Sequence, residues 1–115
     1  MDVEGLQKFC KTLPHVTEDV KWESHLCFLI GNKMFVITDL DAGSRRATLK
    51  SSPEEFFELV ERDGIVPSMY LARSHWITIE DIRKVRDAEL KELVRRSYDL
   101  IKAKLPKKLQ AKLSA

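Results

Sequence analysis

No stretch of this sequence approaches the roughly 20 consecutive apolar residues that a membrane-crossing helix requires. The N-terminal MDVEGLQKFC also carries acids where a secretory leader carries a basic region. Both absences lead us to expect a cytoplasmic protein with no membrane partner. Cysteine is scarce: Cys10 and Cys27 are far apart, and Cys10 falls on the apolar side of a predicted helix, where a thiol acts as a small hydrophobe. That argues against a disulfide framework. The three histidines, His15, His25 and His75, are not closely spaced with each other or with a cysteine, so neither a metal nor another cofactor is expected. Repeats, low-complexity tracts and Gly/Pro-rich linkers are also missing. A chain of 115 residues therefore reads as one domain, residues 1–105, followed by a basic C-terminal tail, residues 106–115.

What is present is charge, unevenly distributed. Residues 1–81 hold 9 basic and 14 acidic side chains, whereas residues 82–115 hold 11 and 4. A solvated terminal helix accounts for such asymmetry, and so does a contact surface for an acidic partner.

Apolar spacing supplies the elements. Asp2 can cap a helix whose apolar positions are Val3, Leu6, Phe9, Cys10 and Leu13, ending before Pro14. The polar stretch around Glu18 and Asp19 is left without an assignment. Strands are predicted over 25–30 and 33–38, joined by Gly31-Asn32, because both residues tolerate the positive φ of a two-residue turn. A third strand follows at 46–50. Ser52, Pro53 and Glu55 form a helix start of the capping-box type, with Phe56, Leu59 and Val60 as the apolar stripe and Gly64 as the stop. Residues 74–79 read as a strand, with Tyr70-Leu71 as a short partner before it. From Asp87, taken as a cap, the positions Leu90, Leu93, Val94, Tyr98, Ile101 and Leu105 mark a long amphipathic helix, and the residues beyond Pro106 are expected to fray. This order of elements fits a two-layer α+β fold, an antiparallel sheet covered by two or three helices including the long C-terminal one.

Catalytic signatures are weak. His25 and Cys27 share a strand side, but no third group orients them. The acidic pairs Glu54-Glu55 and Glu80-Asp81 have structural explanations at element ends. The chain is therefore read as a non-enzyme. The distinctive group is Lys33, Arg45, Arg46 and Lys50. With a turn centred on Asp41-Ala42, Lys33 and Lys50 oppose each other across adjacent strands, which calls for a compensating carboxylate or an external anion. Arg45 and Arg46 at the turn are placed for phosphate. Trp76, Phe35 and Tyr98 are expected in the core.

Gly31-Asn32-Lys33-Met34-Phe35, Leu49-Lys50 with Pro53, Pro67 with Tyr70-Leu71, His75-Trp76-Ile77 and Ser97-Tyr98 occur in an order and spacing that resembles the MmcQ/YjbR-like family over residues 14–108. The resemblance implies hairpin wings on the antiparallel sheet and a role in DNA binding; it supplies no catalytic motif. Together with the charges, it favours a DNA-binding module whose phosphate contacts are Lys33, Arg45, Arg46, Lys50, Lys107 and Lys108. The competing expectation is a protein-binding or chaperone-like domain that offers a sheet edge or apolar patch to a peptide or a second copy.

Overall fold

The computed structural model describes residues 1–41, 43–69 and 71–114. Helix α1 (Val3–Thr12) begins where the Asp2 carboxylate accepts the Gly5 amide hydrogen at 2.8 Å, the cap its sequence predicts. Strands β1 (Thr17–Lys21), β2 (His25–Ile30), β3 (Lys33–Asp39) and β4 (Ala47–Lys50) follow as an antiparallel meander. Helix α2 (Pro53–Leu59) leads to β5 (Ile65–Pro67) and β6 (Trp76–Ile79), then to the long α3 (Asp87–Ala103) and to α4 (Lys107–Ser114). The six strands form one antiparallel sheet in the order β1-β2-β3-β4-β6-β5.

The β2–β3 hairpin turns at Gly31 (φ 57°) and Asn32 (φ 66°), with Ile30 paired to Lys33, as the two positive-φ residues require. A bulge between Phe28 and Leu29 and the facing residues of β3 leaves Phe35 without a partner. Helix α3 lies against β3 and β4. Phe9 of α1 lies beneath Lys91 and Arg95, while Glu55, in α2, and Arg62, just after it, pair with Arg96 and Glu89. The first two helices therefore flank the third and form one layer over the sheet. Phe35, Trp76 and Tyr98 are buried, and the Phe35 and Tyr98 rings meet edge to face at 5.4 Å.

Several expectations need correction. β1 forms in the stretch left unassigned; it is an edge strand with four of its five residues exposed, so no hydrophobic alternation marks it. The partner of β6 is Ile65–Pro67 rather than Tyr70-Leu71. Tyr70 lies outside the described residues, and Leu71 opens a 3₁₀ turn over Ala72–Ser74. Pro67 is tolerated because β5 is an edge. His75 has φ 63° and closes the 3₁₀ turn, so β6 starts two residues later than expected, at Trp76. Asp87 is the first residue of α3 rather than its cap and pairs with the N-terminal ammonium. Residues 107–114 form α4 instead of fraying, because Leu109 and Leu113 pack on the core.

The opposition of Lys33 and Lys50 also fails. Val36 pairs with Leu49 and Thr38 with Ala47, a register that carries Lys50 alongside Phe35 and leaves Lys33 two residues nearer the hairpin. The turn residue Ala42 lies outside the described residues, and the longer connection from Asp39 to Arg46 sets the shift.

Candidate nucleic-acid interface

Because β3 and β4 are antiparallel, the six basic residues singled out from the sequence divide between the two ends of the sheet. Arg45 and Arg46 precede β4 and are exposed. Their backbone is fixed: the Arg46 carbonyl accepts the Thr38 hydroxyl hydrogen at 2.9 Å, and the Arg45 carbonyl accepts the Ile82 amide hydrogen at 2.8 Å. Arg45 approaches Asp81 at 3.8 Å, but Arg83 holds that carboxylate more closely, at 3.2 Å. The Arg83 hydrogen bond is the main reason the Asp81 carboxyl lies below the usual carboxylate range. Asp39, at the same end, accepts hydrogen bonds from Ser44 and His25, so acids dilute the charge there.

Lys33 and Lys50 lie at the other end. The Gly31 turn packs against the junction of α3 and α4: a Cβ on Gly31 would fall 2.7 Å from Leu105 Cδ1 and 3.1 Å from Leu109 Cδ2. That contact brings Lys33 to the same end as Lys104, Lys107 and Lys108. The last two occupy the first turn of α4, which contains no acidic residue, so their charges oppose the positive end of the helix dipole. None of these five lysines belongs to an ion pair among the described residues.

Lys50 is the unusual member. It is only 7% exposed, and its ammonium donates to the Ser74 carbonyl. Burial pushes this ammonium below the usual lysine range, and the neighbouring charge of Lys104 lowers it further. Its backbone amide donates to Ser97 Oγ at 3.0 Å, and that hydroxyl donates to the Phe35 carbonyl at 2.6 Å. Lys104 was not identified from the sequence. A signal was present, because Leu90, Val94, Ser97 and Ile101 are buried along one stripe of α3, and the next step of three residues reaches Lys104.

Two further features belong to the described surface. Trp22, 65% exposed, sits at the β1–β2 turn near exposed Val20 and Leu40. No group of three or more His, Cys, Asp or Glu is placed to hold a metal among the described residues, and no described helix is long and apolar enough to cross a membrane.

A six-stranded antiparallel sheet under a layer of helices, with the last long helix lying across its central strands, defines a small α+β domain of known type. The chain belongs to the YjbR family, whose family model matches residues 11–100. The crystal structure of the Deinococcus radiodurans protein DR2400, described as a DUF419 domain, is similar at a TM-score of 0.88 and 30% identity, covering 98% of this chain and 88% of that one. A Pseudomonas syringae protein shares the fold at a TM-score of 0.73 and 20% identity, covering 88% of this chain and 99% of that one. No curated protein matches the chain.

Proposed function

We propose that this domain is a non-catalytic DNA-binding module that grips backbone phosphates with the lysine-rich end of its sheet. The observation that carries the reading is the grouping of the exposed Lys33, Lys104, Lys107 and Lys108 around one hairpin and one helix junction, close to the buried Lys50, with no ion pair among the described residues. Charges left without local partners in a folded surface are available to phosphate. Resemblance to the YjbR family points the same way. Arg45 and Arg46 are a secondary contact, the nearer of them, Arg46, four residues and roughly 13 Å of chain away from Lys50 at about 3.3 Å per residue.

Fluorescence anisotropy with a random duplex at low and high salt tests this. Binding that weakens linearly in log-log form with salt is expected. Failure to bind duplex or single strand at low salt and high protein concentration overturns it. One observation favours a second reading: exposed Trp22, Val20 and Leu40 gather beside the β1 edge, a surface suited to a protein partner or a second copy. Concentration-dependent size in solution, abolished by Trp22→Ser, is its signature.

A further inference from the structure

We propose that the β1 edge pairs with β1 of a second copy of this chain, as a two-fold antiparallel ladder with Val20 on the axis. The inference rests on the second reading above, the apolar surface beside β1, and is independent of the DNA reading.

The sheet has two edges, and they differ in what they offer a further strand. β5 is three residues long and ends on Pro67, which has no N–H to donate. β1 is five residues long, contains no proline and pairs with β2 without a break. Alternation fixes which of its backbone groups are free. The Leu40 amide donates to the Ser24 carbonyl at 2.9 Å, on the β3 side of β2. His25 and Cys27 therefore turn toward β1 and bond Lys21 and Asp19, which leaves the N–H and C=O of Glu18 and Val20 pointing away from the sheet.

The side chains select the occupant. Val20 lies across from Leu26 on the helix side, with Glu18 on that same side, whereas Asp19 and Lys21 share the other side and pair at 3.6 Å. A two-fold axis perpendicular to the sheet keeps each side chain on its own side, so a copy must set one β1 residue opposite itself. With Glu18, Asp19 or Lys21 on the axis, like charges oppose each other directly. With Thr17 there, the ladder shrinks to a single pair. Val20 alone avoids both faults: two valines meet at the centre, and each Asp19 faces Lys21 of the other copy. Val20 is also one of the outward-facing residues, so the central pair exchanges two backbone hydrogen bonds. Exposed Trp22 follows two residues from the axis, where a second copy shields it from water. Charges of a single sign would guard this edge; here both signs occur at the spacing that a copy neutralises.

The ladder is short, so the dimer is weak, and sedimentation velocity of the full chain up to about 1 mM is the experiment. Size should rise with concentration. Val20→Pro removes only an outward N–H, so it should abolish the rise and leave the monomer folded by circular dichroism. Asp19→Lys and Lys21→Asp should each weaken the dimer about tenfold, and the double exchange should return it to within about threefold of wild type. Constant size at every concentration overturns the proposal and the second-copy form of the reading it rests on. Single exchanges without effect, or a double exchange that fails to rescue, overturn the ladder. A concentration-dependent size that ignores Val20→Pro but vanishes with Trp22→Ser overturns the ladder and leaves the apolar reading standing.

Discussion

Ser97 completes the hydrogen bonding that Lys50 loses at the end of the β3–β4 ladder. Its hydroxyl accepts the Lys50 amide hydrogen at 3.0 Å and passes its own hydrogen to the Phe35 carbonyl at 2.6 Å. Helix α3 thereby joins two strands beyond the point where they pair directly. Ser97→Ala strips a buried donor and a buried acceptor of their partner at once, at about 1–3 kcal/mol each. A loss of about 2–6 kcal/mol in urea unfolding is expected. A loss below about 0.5 kcal/mol would mean that water replaces the hydroxyl and that the bridge is not structural.

Gly31 presents a different constraint, since φ is +57° and an added Cβ meets Leu105 at 2.7 Å. Gly31→Ala therefore combines a left-handed backbone penalty of about 1–2 kcal/mol with a clash at the α3–α4 junction. The double variant with Leu105→Ala should cost less than the sum of the two single changes, because trimming the leucine relieves the clash. Strict additivity in denaturant unfolding would count against that packing.

Stability should fall at alkaline pH. Burial pushes the Cys10 thiol from near 9 up to about 12, so between these values the native state holds a proton that the unfolded chain has released. Stability then declines as pH rises through that window, by up to about 1.4 kcal/mol per pH unit. Cys27 and Tyr98, both raised chiefly by burial, act in the same direction. Lys50 acts against them: its folded pKa is lowered, so between that value and the ordinary 10.5 the unfolded state binds the extra proton and stability rises with pH. Urea unfolding at pH 8 and pH 10.5 should show the net decline, and Cys10→Ala should flatten it.

The sequence revealed those parts of the fold that local chemistry dictates. Two apolar runs ending at Gly31-Asn32 define a hairpin because few other residues tolerate that turn, and Ser52-Pro53 with Glu55 defines a helix start. β1 was hidden because an edge strand with a largely solvated surface shows no alternation. The Lys33–Lys50 opposition failed because register depends on the full length of the connection after Asp39, which composition does not set. Lys104 gained its place only when α3 crossed the sheet, although its position on the stripe of Ser97 was readable. α4 was missed in the same way: the tail was expected to fray, and the i, i+4 spacing of Leu109 and Leu113, which pack on the core, went unread.

The separation of the basic residues into two ends yields the most direct test of the DNA reading. Removal of residues 106–115 is a poor test, because Leu109 and Leu113 leave the core together with the charge. Lys33→Ala with Lys107→Ala and Lys108→Ala removes three exposed charges and no core contact. If each contacts one phosphate, the log-log salt slope should become shallower by about 2.7, at about 0.9 per contact. Between 50 and 200 mM salt, those three contacts account for a roughly 40-fold fall in affinity, and the triple variant should lose it. Arg45→Ala with Arg46→Ala should change the slope by less than about 1, since Asp81 already competes for Arg45 and acids surround that end. Preference among duplex sequences should stay flat in both variants, because phosphate contacts position a protein without reading bases. An unchanged slope in the lysine variant, together with a drop of about 1.8 in the arginine variant, would move the interface to the opposite end of the sheet. There Trp22 and the β1–β2 turn, rather than the α3–α4 junction, become the residues to probe next.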